Sequence, residues 1–314
     1  MNKLSIVISA FNEENKIEKC LKSASFADEI IVVNNSSTDN TEEIAKKYTK
    51  NIYKQENNPL AIDLQKNFGF SKVTGDWILS LDADEEVSPE LKDEIRELLN
   101  EKSHKSLIVN HKSEMNGFWI PRKNFSFGKW IEHTGWYPDH QLRLFKKGKG
   151  KFLDKHVHEK IKIEGEVGYL KNHILHQNYQ TIPQFVHRAI DLYCPSEAEY
   201  IIEKGYIFSP FDAIRFPLDE FLSRFFTREG YKDGFHGLML SLLMAFYRFI
   251  VFALIWEKQG FKEVEDDNFL ENTTKELKRV NKEVMFWTKE EKQKQIKNPV
   301  KKNLYKISRK IRLN

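Results

Sequence analysis

The chain has 314 residues, 40% of them hydrophobic, with 50 Lys and Arg against 46 Asp and Glu and a formal net charge of +4. That hydrophobic share supplies a core for one large domain plus an accessory part and excludes a disordered chain, while the near balance of charge confines any charge-driven binding to local stretches. Two cysteines far apart in sequence, Cys20 and Cys194, exclude a disulfide framework and fit a reducing compartment. The first apolar run begins at Leu4 and leaves no room for a cleaved leader, so a cytoplasmic location is expected.

Leu4-Ser5-Ile6-Val7-Ile8 is a β-branched run that predicts a strand, and residues 14–26 carry Ile17, Leu21 and Ala24 at helical spacing. Glu29-Ile30-Ile31-Val32-Val33 predicts the second strand. A helix starts near Thr38-Asp39-Asn40, with Glu42 and Glu43 in a first turn where carboxylates suit the helix dipole. Ile52 and Tyr53 mark a short third strand, and Asn58-Pro59 opens a helix through Val73 with proline at a favourable first-turn position. Asp76 to Leu81 is the fourth strand, and Ser88-Pro89 caps a helix to about Asn100. Strands separated by helices of this length predict a parallel sheet with helices on both faces.

Ligands of such a sheet bind outside the carboxyl ends of its strands. Three polar clusters fall there: Asn12-Glu13-Glu14, Asn34 to Asp39, and Asp82-Ala83-Asp84. Two carboxylates one residue apart at a strand end suit a divalent cation that fills its other positions with water and substrate phosphates, which points to a nucleotide diphosphate. Taken alone, Asp82 to Glu86 also reads as a solvated acidic turn, and Asn34 to Thr41 as a turn and helix cap. Three clusters at one edge point to one site.

Ser9 to Glu14, Val32 to Thr41, Gln65-Lys66-Asn67-Phe68-Gly69 and Gly75 to Glu85 together resemble the family 2 glycosyltransferases. Trp136 to Phe145 and Val157-His158-Glu159 resemble, more narrowly, the subgroup of lipopolysaccharide core β-1,4-glucosyltransferases. The resemblance implies an α/β fold of the GT-A type: a mostly parallel central sheet, helices on both faces and a C-terminal helical region. It implies an inverting transferase that takes a nucleotide-diphosphate sugar, a UDP-sugar favoured, and uses Mg²⁺ or Mn²⁺. The expected acceptor is a hydroxyl of a lipid-linked glycan or lipopolysaccharide core.

Residue by residue, the resemblance implies donor contacts from Phe11, Asn12, Glu13, Asn34, Ser36, Asn67, Asp82 and Ala83. It implies Asp84 as the direct metal ligand, with Asp82 binding ribose or reaching the metal through water. Asn34 departs from the family's aspartate; it keeps an acceptor oxygen and adds an amide donor, but supplies no charge. Inverting transfer needs a base near the acceptor hydroxyl, and the candidates are Glu159, which is preferred, and Asp139. Arg143 and His158 are candidates for acceptor or phosphate contacts. A zinc site among His133 to His176 is not expected, because no cysteine accompanies them and no compact set of four ligands appears. The rival functions are a polyprenyl-phosphate glycosyltransferase and a noncatalytic membrane-associated scaffold of the same fold.

Residues 1–180 are expected to be the catalytic domain, 181–260 a helical accessory region and 261–314 a charged helical tail. Gly237 to Trp256 is nearly continuous Leu, Met, Phe, Ile and Val around Arg248; it fits a buried or dimer-forming helix, a membrane-seated helix or a span. From Lys292 onward there are nine basic residues and no acidic ones, with Val300, Leu304, Ile307 and Ile311 at helical spacing. This pattern favours an anionic membrane surface over nucleic acid, so the expected location is the inner face of the cell membrane. A homodimer is a further expected possibility.

Overall fold

The computed structural model describes residues 2–58, 62–100, 115–153, 161–296 and 298. The chain divides into two compact units, Met1–Glu132 with Trp136–Gln180, and His133–Gly135 with Thr181–Asn314.

The first unit opens with β1 (Leu4–Ala10), α1 (Ile17–Ala24), β2 (Glu29–Asn34), α2 (Thr41–Ala45), β3 (Asn51–Lys54), α3 (Ile62–Phe70), β4 (Trp77–Asp82), β5 (Glu85–Val87) and α4 (Pro89–Leu99). It continues with β6 (Met115–Ser126), β7 (Lys129–Trp130), β8 (Asp139–Lys146), β9 (Gly150–Lys151), β10 (Lys162–Ile163), β11 (Glu166–Tyr169) and β12 (Ile174–Tyr179). The main sheet runs β3-β2-β1-β4-β8-β6-β12-β5, with β7 and β11 also paired to β6. β3, β2, β1 and β4 are parallel, as their alternation with helices predicts. Beyond β4 the sheet is mixed: β8 is antiparallel to both β4 and β6, and β12 is parallel to β6 but antiparallel to β5. No helix separates β6 from β8, and a short connection suits an antiparallel pair.

Alternation along the parallel strands builds two cores. Ile6, Ile8, Val32, Leu79 and Leu81 face Ile17, Leu21, Leu91 and Ile95, while Val7, Ile31, Val33 and Ile78 face Phe70, Phe145 and Phe152. Each such burial contributes about 1.5–3 kcal/mol. Gly69 lets α3 approach the second layer, since a Cβ there would lie 2.5 Å from Val7 Cγ1. Ser88 caps α4, accepting from Leu91 N at 3.2 Å. Helix α1 starts later than its apolar spacing predicts because the backbone before it is bonded elsewhere: Glu13 N donates to Thr41 Oγ1 and Glu14 N to Asp39 Oδ2.

The second unit is helical. α5 (Ile182–Arg188) runs through a π-helical turn into α6 (Cys194–Glu203); α7 (Asp212–Leu222), α8 (Phe235–Lys258) and α9 (Phe269–Gln295) follow. α8 packs on α6 and α7, burying Leu240, Ala245, Val251, Phe252 and Ile255, and α9 packs on α7. Apart from Asn298, the basic segment after Ile296 lies outside the described residues.

Candidate active site

The chain winds from β1 outward through β2 to β3, then returns to place β4 on the other side of β1. The strand order therefore reverses beside β1, and a crevice opens at the carboxyl ends there. Register brings the three polar clusters to this edge: Ala10 pairs with Asn34, and Ser9 with Asp82. The first two loops are tied together, Asn12 N donating to Ser37 Oγ at 3.0 Å and Thr38 N to Asn12 Oδ1 at 2.8 Å. Asn12 and Ser36 both have left-handed backbone, with φ of 54° and 59°. Such conformations in residues other than glycine concentrate at functional sites. Phe11 stands exposed on the same edge.

Asp82 and Asp84 differ in their surroundings. Asp82 has both oxygens engaged, Oδ1 with Lys66 Nζ at 2.6 Å and Oδ2 with Arg143 Nη2 at 2.5 Å. Burial alone would raise its pKa, but Arg143 and Lys66 hold it well below the usual carboxylate range. Asp84 has looser neighbours, with Lys16 Nζ and His176 Nε2 each 3.6 Å from Oδ2. Here too burial opposes ionisation and is outweighed, by His176 first and then Lys16, so the carboxyl is pulled down to about 2. Lys16 also pairs with Glu13 at 3.3 Å, linking the loop after β1 to that after β4. Beside Asp84 lies a small open cleft of about 50 Å³, lined by Asn15, Lys16, Lys19, Asp84, Glu86, Gln177 and Gln180. Among the described residues, no group of three or more His, Cys, Asp or Glu side chains is arranged to hold a metal ion.

A ladder of alternating charge runs from Asp82 into the mixed half of the sheet. Glu85, fully buried, pairs through Oε1 with Arg143 at 3.0 Å and with Arg122 at 2.8 Å, and its Oε2 accepts from Asp82 N at 2.9 Å. Arg122 continues to Asp139 Oδ2 at 2.7 Å. Asn124 Nδ2 also donates to Asp139, and Asn124 Oδ1 lies 2.6 Å from His176 Nδ1. The ladder therefore returns to Asp84 through His176.

The remaining sequence candidates fall into three groups. Asn34 is buried, with its amide donating to Glu42 Oε2 at 2.7 Å and its oxygen accepting from Ser37 N at 2.9 Å; it shapes the loop in this structure. Asn67 likewise uses both ends of its amide on the backbone of Phe152, at 2.9 and 3.0 Å. Ser36 Oγ donates to Gln55 O, and Ala83 is buried. Asp139 is partnered by Arg122, Asn124 and Gln141; burial would raise its pKa, but Arg122 and Asn124 hold it below its ordinary value. Glu159 and His158 lie outside the described residues.

Sequence reasoning missed Lys16, Lys66, Glu85, Arg122, Asn124 and His176. Lys66 and Glu85 stand inside motifs where only their neighbours were singled out. Arg122 and Asn124 continue the alternation of buried Phe118 and Ile120 along β6, and His176 follows buried Ile174 on β12. A polar residue at an inward-facing strand position was the available signal.

Comparison with known proteins agrees with this architecture. A profile described as Glycosyl transferase family 2 matches residues 5–162, just over half of the chain. An uncharacterised glycosyltransferase of Rickettsia typhi is 30% identical over 291 residues, covering 86% of this chain and 93% of that protein. The lipopolysaccharide core biosynthesis glycosyltransferase LpsC of Rhizobium meliloti is 26% identical over 267 residues, covering 82% of this chain and 94% of its own length. Among solved structures, S. aureus TarS 1–349 in complex with UDP-GlcNAc is 15% identical, covering 84% of this chain and 95% of that one with a TM-score of 0.42. The profile match and the similarity along nearly the whole R. typhi protein establish that the chain belongs to glycosyltransferase family 2, and its wound sheet with the acidic pair after β4 is that family's GT-A fold.

Proposed function

We propose that the chain moves a sugar, with inversion, from a nucleotide-diphosphate donor to a hydroxyl of a glycan or lipid-linked acceptor. The observation that carries this reading is Asp84: an ionised carboxylate at the reversal of strand order, opening on a cleft with Lys16 and Lys19. The two lysines suit the pyrophosphate of the donor, and the tied loops after β1 and β2 supply the wall for its nucleoside. A UDP-sugar is the favoured donor on the resemblance of those loops. A lipopolysaccharide core acceptor is the favoured one, because the R. meliloti relative carries that description.

The residues present fit Mg²⁺ or Mn²⁺ at Asp84 and not directly at Asp82, whose oxygens are already taken by Lys66 and Arg143. Asp84 would hold the ion, with water and donor phosphates completing its shell as is usual for a hard cation on few protein carboxylates. When bound, such an ion offsets negative charge gathering on the leaving diphosphate. Asp82 is fixed by its two cations for a second role, toward ribose or a metal-bound water.

A base must accept the proton of the acceptor hydroxyl. Asp139 accepts hydrogen bonds from Arg122, Asn124 and Gln141 and is ion-paired with the Arg122 guanidinium, which leaves it a weak acceptor for a further proton. We therefore retain Glu159 as the base. In a transfer assay Glu159→Gln abolishes turnover while nucleotide still binds; near-normal turnover removes Glu159 from the role.

Calorimetric titration with UDP, GDP, CDP and dTDP, each with and without Mn²⁺, tests the donor. Binding that needs both the ion and one nucleotide supports the proposal. Failure of every nucleotide contradicts it.

A further inference from the structure

Helix α8 has two unlike sides. On its packed side Gly237, Leu240, Ser241, Ala245, Val251, Phe252 and Ile255 are all buried, and α6 and α7 pack against it. It also turns its charge that way: Arg248 donates to Glu197 of α6 and stacks over the ring of Phe216 at 4.9 Å, and Tyr247 OH donates to the same Glu197 at 2.5 Å. On the other side Phe235, Leu242, Phe246, Phe249 and Trp256 are between 40% and 72% exposed. Their steps of seven, four, three and seven residues draw one stripe along the helix. At 1.5 Å per residue that stripe is about 30 Å long. Trp256 meets Phe261, itself exposed, which carries the apolar surface past the helix end.

A second copy of the chain, an enclosing bilayer or a lipid surface could cover such a stripe. A water-soluble helix pair flanks its seam with Glu and Lys. Here the partly buried residues beside the stripe are Leu238, Met239, Leu243, Ile250 and Leu254, with His236 and the exposed Glu257 only at the two ends of the helix, so along its middle the apolar face is broader than a seam. An enclosing bilayer is ruled out by what lies along the other side: α6 and α7 carry Glu197, Glu199, Asp212, Arg215, Asp219 and Glu220, which hydrocarbon would strand. A helix with one broad apolar face, aromatic residues on it and its single mid-helix charge turned inward suits the interfacial plane of a membrane. The chain also supplies the matching charge, since nine Lys and Arg and no acidic residue follow from Lys292 to its end.

We propose that the outer face of α8 seats the helical unit flat on an anionic lipid surface. This assignment is independent of the donor and acceptor proposed above.

The test uses the full chain, co-sedimented with vesicles of phosphatidylcholine alone or with added phosphatidylglycerol. The wild type is expected to pellet with the anionic vesicles and to be released by salt. The triple variant Leu242→Ser, Phe246→Ser, Phe249→Ser is expected to bind about tenfold or more weakly, with unchanged circular dichroism and unchanged nucleotide binding. A single Phe249→Cys variant carrying an environment-sensitive dye reads the same face with its packing intact, because both native cysteines are buried; anionic vesicles are expected to shift its emission to the blue. Wild type that ignores both vesicles, a triple variant that binds as wild type does, or an unshifted dye overturns the proposal. A dimer that the triple variant converts to monomer, with no lipid binding by either, overturns it in favour of a second copy.

Discussion

Glu85 Oε1 lies 3.0 Å from Arg143 Nη2, and that same guanidinium nitrogen is 2.5 Å from Asp82 Oδ2. One fully buried carboxylate thereby fixes the arginine that fixes the first acid of the Asp82-Ala83-Asp84 motif. Glu85→Gln leaves the shape and removes the charge, so Arg143 and Arg122 face each other across a neutral amide. Breaking a buried pair from one side costs about 3–5 kcal/mol. A clear fall in Tm is expected, together with a loss of kcat/KM measured well below that Tm. Unchanged stability would show that the two arginines do not depend on Glu85.

The neutral amide of Asn34 donates to Glu42 Oε2 at 2.7 Å. Glu42, bonded first by Lys54 and then by Lys46, is held at about 2 and is ionised at neutral pH. Asn34→Asp therefore sets two carboxylates against each other. Destabilisation of roughly 1–2 kcal/mol at pH 7 is expected, falling away on acidification as one of the two takes a proton. Adding Glu42→Gln should restore most of it, which urea unfolding of the double-mutant cycle would measure.

Asp84 makes the acid limb of the stability curve predictable. Its folded pKa of about 2 lies below the unfolded value, so its contribution is fully present above that unfolded value and disappears as pH falls through about 2. The shift corresponds to roughly 2 kcal/mol. Urea midpoints measured from pH 5 to about 2 should therefore fall less steeply in Asp84→Asn than in the wild type. Parallel curves would show that His176 and Lys16 do not hold the carboxylate.

Gly237 fixes the start of α8, because a Cβ there would lie 1.8 Å from the carbonyl oxygen of Gly230. Gly237→Ala forces backbone apart and is expected to destabilise the helical unit by about 1–3 kcal/mol. Limited proteolysis of residues 181–296 would show the change.

The parallel half of the sheet was legible because its strands are short β-branched runs separated by helical segments, although α1 and α2 lack a side-chain cap and only α4 is capped by the residue that the sequence points to. Ser88 caps α4 where Ser88-Pro89 predicts it, and β1, β2 and β4 start within a residue of their apolar runs. The mixed half was not legible: β6 carries Pro121, Arg122, Lys123 and Asn124, whose polarity hides a strand that is buried through its ion pairs. At the site, the motif residues came to one edge, but their partners did not show in sequence. Asn34 and Asn67 use polar groups that serve equally for ligands and for local backbone, and only the fold reveals Glu42 and Phe152 as the choice made here. The ladder from Asp82 to Asp139 joins residues far apart along the chain, and no spacing rule announces such a ladder.

In the proposed reaction Asp84 serves a metal-bound nucleotide sugar at the rim beside β1. Release of UDP from a UDP-sugar, followed with and without Mn²⁺ in wild type and in Asp84→Ala, tests it most directly. Mn²⁺-dependent release that vanishes in the folded variant is the predicted result; release that persists in Asp84→Ala, or that ignores the ion, would contradict it.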